Sequence, residues 1–186
     1  MNYIEGEQFQ LLDYSAQDLP KAEYEHCTFK NCTFIDLSHR RFESCQFESC
    51  NFTGANLKDT VLSDVLFKGC KLLGLSFHHC NAFLFSAHFQ SSQLNLASFY
   101  KMDLSRSTFN DCSLQEVDFT GANLYQVAFN QCHLGQALFE NSLLEETNFR
   151  LATHFSINPN LNFMKQTQFS SHELMGLLET YDLDIQ

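Results

Sequence analysis

From Phe89 to Phe149 a large apolar residue recurs at every fifth position, and Phe alternates strictly with Leu: Phe89, Leu94, Phe99, Leu104, Phe109, Leu114, Phe119, Leu124, Phe129, Leu134, Phe139, Leu144 and Phe149. An amphipathic helix repeats its apolar positions about every 3.6 residues and a half-buried strand about every 2. A period of five fits neither, so the backbone must turn a corner once per repeat. The chain is therefore expected to fold as an all-β solenoid.

Two residues before most of these positions stands a small or slender side chain, as in Ala87, Ala97, Ser107, Cys112, Val117, Ala122, Val127, Cys132, Ala137, Ser142 and Thr147. These must point inward with the Phe or Leu, leaving the three mostly polar positions of each repeat to water. Because Phe and Leu alternate, the pattern suits a coil of four five-residue sides in which each stacked column holds one residue type. The column of Phe89, Phe109, Phe129 and Phe149 then faces that of Phe99, Phe119 and Phe139. One repeat cannot bury its own apolar side chains, but stacked neighbours can.

The same period runs upstream in two further phases, Phe9 to Phe34 and Phe42 to Phe77. The register breaks fall near residues 35–41 and 83–87, where a bulge or loop must absorb the shift. Small excursions are expected at about 36–41 and 83–87. The second contains Phe83, Leu84 and Phe85 in succession. Either two of these fill the core through an irregular corner, or the segment protrudes as a loop that contacts a partner.

The segments Ala55-Asn56-Leu57, Ala122-Asn123-Leu124, Val117-Asp118-Phe119 and Thr147-Asn148-Phe149 resemble the A-(D/N)-L-x-x unit of the pentapeptide repeat family. That resemblance implies a right-handed quadrilateral β-helix, here over residues 1–152. Residues 153–186 leave the repeat and are expected to cap the open end. Ser170 stands three residues before Glu173 as a capping box, opening a short C-terminal helix whose Leu174, Leu177, Leu178 and Tyr181 share one face. Leu183 and Ile185 follow as an extended tail. The face either plugs the last coil or joins a second chain.

A narrower resemblance bears on that choice. Phe155 to Asn162, Lys165, Phe169-Ser170 and Gly176 to Asp182 look like the tail of the quinolone-resistance pentapeptide proteins and their chromosomal relatives. In those proteins the tail joins two rods end to end, and the acidic dimer imitates DNA and engages type II topoisomerases. The resemblance thus implies a homodimer through Leu174, Leu177, Leu178 and Tyr181, with DNA gyrase or topoisomerase IV as partner. The family's protective members carry a well-formed projecting loop, for which the breaks here leave little room. Protection from quinolones and inhibition of the enzyme both stay open.

Charge is unevenly placed. Of a net −11, residues 107–186 contribute −8, with 10 acidic side chains against Arg150 and Lys165. Asp111, Glu116, Asp118, Glu140, Glu145 and Glu146 all take outward positions and form the expected acidic partner surface. Such a wall disfavours direct nucleic acid binding, since phosphates demand a basic surface. The alternative is a protein–protein interaction scaffold with an unrelated partner, for which the same charge only confers solubility.

All eight cysteines, Cys27, Cys32, Cys45, Cys50, Cys70, Cys80, Cys112 and Cys132, fall on the small inward position, which favours buried reduced thiols. In His78-His79-Cys80 the histidines take outward positions while the thiol points in, so no metal site is expected, nor any cofactor. Phosphate-loop, nucleophile-elbow and zinc-protease signatures are missing, and a filled, convex solenoid is not expected to be an enzyme. The N-terminus lacks a secretory pattern and no membrane-spanning run is present, so the protein is expected in the cytoplasm.

Overall fold

The computed structural model describes residues 2–181 and 183–184, with Met1, Asp182, Ile185 and Gln186 outside the described residues. Each coil makes four walls. The first wall holds β1 (Asn2–Glu5), β4 (Ala22–Glu25), β7 (Arg41–Glu43) and β9 (Val61–Ser63), paired in parallel in that order. The second holds a seven-stranded parallel sheet: β2 (Gln8–Gln10), β5 (Thr28–Lys30), β8 (Gln46–Glu48), β10 (Val65–Lys68), β11 (Ala87–Gln90), β12 (Thr108–Asn110) and β13 (Phe129–Asn130). The third begins with β3 (Asp13–Tyr14) and β6 (Thr33–Phe34) and continues, like the fourth, as single parallel bridges. The result is a right-handed quadrilateral β-helix.

The core is a set of stacked rings. On the second wall Phe9, Phe29, Phe47, Phe67, Phe89, Phe109, Phe129, Phe149 and Phe169 lie face over face, with centroid spacings of 4.6 to 5.4 Å. The spacing is that of parallel strands, so rings and backbone rise together. Across the interior, Phe99, Phe119 and Phe139 meet this column edge to face, at 5.6 to 6.2 Å. Edge-to-face contact sets the positive ring edge against the negative face. In the first coils the second column instead meets Tyr24, Phe34, Phe42 and Phe52 on the first and third walls.

Corners come in two kinds. At closed corners the N–H of the small inward residue donates to the carbonyl three residues back, as Ala55 to Phe52 (2.8 Å) and Ala122 to Phe119 (2.9 Å). The residue two after the inward Phe or Leu commonly takes a left-handed backbone. Gly54 and Gly121 do so freely, and Glu116, Gln136 and Glu146 do so against the steric preference of L-residues. At open corners, where extended strand leaves the second wall, side chains of the next coil accept instead. The Cys32 N–H donates to Cys50 Sγ (3.4 Å) and the Cys70 N–H to Ser92 Oγ (3.0 Å).

Both register breaks occur at corners, and they have opposite sign. The first is a contraction rather than the excursion expected at 36–41. Phe29 pairs with Phe47 and Thr33 with Asn51, whereas Asp36 already pairs with Asn56. Leu37 therefore takes the central inward place only three residues after Phe34, and the third wall is shortened. The small inward place before Phe42 is then filled by Arg40, which is 2% exposed. Its guanidinium donates to the carbonyls of Leu19 and Ser38 and lies 3.8 Å from Asp36. The second break is an expansion on the first wall, completed by the start of the second, where Val65 pairs with Ala87. Of the three apolar residues there, Phe85 alone enters the core at 2% exposure, while Phe83 is 77% exposed.

The coil ladder continues beyond residue 152. His133 bridges Thr153, Leu143 bridges Phe163 and Asn148 bridges Gln168, and Phe169 closes the ring column. Only the segment after it leaves the stack.

Candidate protein-interaction surface

Parallel register stacks every outward position over its counterpart one coil away, so a wall's charge is the sum of a column. On the first wall Glu5 pairs with Glu25 and Glu25 with Glu43, three carboxylates one above another. Glu23 lies beside them, followed along the wall and the corner after it by Asp64, Asp103, Glu145 and Glu146, against Arg41, Arg106 and Lys165. Like charges directly opposite on neighbouring strands repel. Partial relief comes from Arg41, whose guanidinium reaches Glu43 Oε2 at 2.7 Å, and from Tyr3, whose hydroxyl donates to Glu25. Those carboxylates hold the Tyr3 phenol well above its usual range, the hydrogen bond to Glu25 being the main cause.

The expected acidic surface divides across the molecule. Glu145 joins the first wall and Glu146 the corner after it, where Tyr125 Oη lies 3.3 Å from Glu146 Oε1. The others lie elsewhere. Asp118 and Glu140 belong to the fourth wall, Asp111 to the corner after the second, and Glu116 to the corner after the third. Sequence reasoning overlooked Glu5, Glu23, Glu25 and Glu43 because, with charge summed over residues 1–106, 9 basic side chains offset the 12 acidic ones.

The C-terminal segment forms two short 3₁₀ turns, Ser171–Leu177 and Glu179–Tyr181, rather than a longer helix. Ser170 caps the first by accepting from the His172 N–H at 3.3 Å. Gly176 sets the geometry. It is buried against Phe155, its carbonyl accepts from the Ile157 N–H at 2.8 Å, and a Cβ there would lie 2.0 Å from the Phe155 carbonyl oxygen. So close a backbone approach holds the turn against the last coil. Leu177 packs on the core and Leu178 is half-buried, whereas Leu174 (43%) and Tyr181 (47%) are exposed beside Met175 and Leu183. The Tyr181 hydroxyl accepts from Asn160 Nδ2 at 2.8 Å, tying the tail back. The tail face thus splits between plugging the coil and facing outward. Ile185 lies outside the described residues.

All eight cysteines are free and buried. Seven occupy the corners that flank the second wall. There thiols donate to carbonyls of the coil below, as Cys45 to Tyr24 (3.3 Å) and Cys70 to Phe47 (3.3 Å). Burial pushes the Cys45 thiol up to about 12. Cys50 and Cys132 are also raised, first by hydrogen bonds to the neighbouring thiols of Cys70 and Cys112 and then by burial. The rings of His78 and His79 stand outside Cys80, and among the described residues no group of three or more His, Cys, Asp or Glu is placed to hold a metal ion.

A cleft of about 520 Å³ opens under the cap between Gln136, Leu138, His154, Ser156 and Glu179. Among the described residues no hydrogen bond joins His154, Ser156 and Glu179, and the His154 ring stacks on His133 at 4.3 Å. No helix among the described residues is long and apolar enough to cross a membrane.

Comparison with known proteins places this solenoid among others. QnrB1, a plasmid-mediated fluoroquinolone resistance protein, is similar at 16% identity over 98% of this chain and 100% of its own, with a TM-score of 0.44. HetL, a pentapeptide repeat protein involved in heterocyst differentiation regulation in Nostoc sp. strain PCC 7120, is 16% identical over 91% of this chain and 86% of its own, with a TM-score of 0.49. A pentapeptide repeat protein of the Arabidopsis thaliana thylakoid lumen is 27% identical over 52% of this chain and 66% of its own, with a TM-score of 0.46. No curated protein matches by sequence. The family described as pentapeptide repeat region matches residues 40–119 and 82–158, together well over half of the sequence. On that match, and with the four-walled coil built on its repeat, the chain belongs to the pentapeptide repeat family.

Proposed function

We propose that the protein is a non-enzymatic, cytoplasmic DNA mimic that occupies the duplex-binding surface of a type II topoisomerase, DNA gyrase or topoisomerase IV. One observation carries this reading: the acidic first wall, with Glu5, Glu25 and Glu43 stacked in register and further carboxylates at Asp64, Asp103, Glu145 and Glu146 on later coils. A fold that keeps mutually repelling charges in line gives up stability for them, and a cation-rich surface recovers it on contact. The linear charge is substantial. A net −11 over a rod of roughly 40 Å, from eight steps of about 4.8 Å, is one charge per ~4 Å, against one per about 1.7 Å in duplex DNA.

The second element of the proposal is a homodimer joined through the C-terminal segment. The exposed Leu174, Met175, Tyr181 and Leu183 with Phe163 leave an apolar end surface, and the tail resembles one that dimerises. Such a dimer doubles the length of the acidic wall. A second reading, a scaffold for an unrelated protein, is favoured by the dispersal of Asp111, Glu116, Asp118 and Glu140 over other walls and corners.

Titration into a gyrase supercoiling assay, with and without a fluoroquinolone, tests the proposal. Inhibition without drug is the expected result, and recovery of drug-limited supercoiling at low protein would add protection. No effect in either arm refutes mimicry and transfers the case to the scaffold.

A further inference from the structure

The expansion at the second register break sets a turn of the closed-corner kind outward on the acidic wall, with Ala82, Phe83 and Leu84 exposed. Ala82 to Phe85 form a tight turn closed by the Phe85 N–H on the Ala82 carbonyl (3.4 Å), with Leu84 in the left-handed region at φ 66°. Asn81 Oδ1 accepts from the Phe83 N–H at 2.9 Å. Phe85 anchors the turn inside, edge-on to Phe77 at 6.3 Å, and the ring of Phe83 is left pointing to solvent. The turn replaces the regular first-wall segment between Val61–Asp64 of the coil below and Asp103–Arg106 of the coil above. Along the rod Phe83 thus stands between the coil that carries Asp64, whose side chain is 69% exposed and lies 3.3 Å from His88 Nε2, and the coil that carries Asp103 and Arg106.

Closing the coil and filling the core need only Phe85. The remaining residues place a large ring, on a constrained turn, in the middle of a charged wall. Aromatic anchors presented rigidly and rimmed by polar groups are the usual source of binding energy at protein interfaces, because little freedom is lost on insertion. Duplex DNA has no counterpart to such a ring. A surface that reads phosphates alone would gain nothing from it.

We propose that Phe83 is an apolar anchor that enters a hydrophobic socket on the partner, and that the socket is rimmed by Lys or Arg facing Asp64 and Asp103. This rests on the mimicry reading above and adds selectivity to it. The carboxylates attract DNA-binding surfaces in general, and the ring selects the one that carries a socket between its cations.

The test is the affinity of the full chain for purified DNA gyrase and, in parallel, topoisomerase IV, measured across a salt series. The variants are Phe83→Ala and the double variant Glu25→Gln/Glu43→Gln. Phe83→Ala removes no charge, so it should weaken binding about tenfold or more with the salt slope unchanged. The double variant should flatten the slope. If it weakens binding while Phe83→Ala matches the parent, the anchor is overturned and mimicry stands. If the parent binds neither enzyme, both fall. Phe83 is exposed and its turn is held by backbone and Asn81, so loss of fold does not confound the result.

Discussion

Replacing Cys50 separates hydrogen bonding from size as the reason for cysteine at the open corners. Cys50 is buried, accepts from the Cys32 N–H at 3.4 Å and donates to the Phe29 carbonyl at 3.4 Å. Two coils along the same column Ser92 does the same work, accepting from the Cys70 N–H at 3.0 Å and donating to Phe67 at 3.2 Å. Cys50→Ser therefore keeps both links and should cost no more than about 1 kcal/mol. Cys50→Val and Cys50→Ala leave the Cys32 amide buried without an acceptor, a cost of about 1–3 kcal/mol, with added strain or a void respectively. At roughly 2–4 °C per kcal/mol for a chain of this size, Val and Ala should melt several degrees below Ser. The sequence has no tryptophan, so melting and urea unfolding are best followed by far-UV circular dichroism under reducing conditions. The expected order is Cys, then Ser, then Ala and Val. A Val or Ala variant as stable as Ser would refute the hydrogen-bond account and leave volume as the selecting property.

Two further changes probe the C-terminal end. Gly176→Ala puts a methyl group 2.0 Å from the Phe155 carbonyl oxygen, so the cap must move, at about 1–3 kcal/mol. Limited proteolysis should then cut after residue 170 while the coils resist, and an unchanged digestion pattern would mean that the turn docks differently. Leu174→Asp charges the outward side of the cap without touching its packed side. Sedimentation should show a monomer of preserved fold, whereas an unaltered dimer mass would remove Leu174 from the interface.

The coil, its four walls and the facing Phe columns were legible because a five-residue period has one stable solution, and every inward Phe reports its own column. The corners were not. Whether a corner is open or closed depends on backbone pairing between coils, so the acceptor role of Cys50 and Ser92 is invisible in a pattern that shows only small residues. The contraction at Phe34–Leu37 hid two further features. It moves Arg40 into an inward place that the regular repeat reserves for small side chains, where backbone carbonyls and Asp36 satisfy the guanidinium. It also brings Glu25 and Glu43 into register at a spacing other than twenty residues. The C-terminal turn departs from the expected helix for a local reason. Gly176 weakens a helix from within, and its contact with Phe155 favours the tighter 3₁₀ winding.

The parallel pairing between neighbouring coils has a kinetic consequence. Parallel sheets fold slowly when their strands are distant in sequence, because a long loop must close before any contact forms. Here Phe89 meets Phe109, Phe109 meets Phe129, and contacts along the rod join residues about 20 apart. Relative contact order is then on the order of 0.1, in the range of helical bundles. Once any two coils have stacked, each further coil closes only a short loop onto a ready-made ring, so the rod can grow from its middle towards both ends.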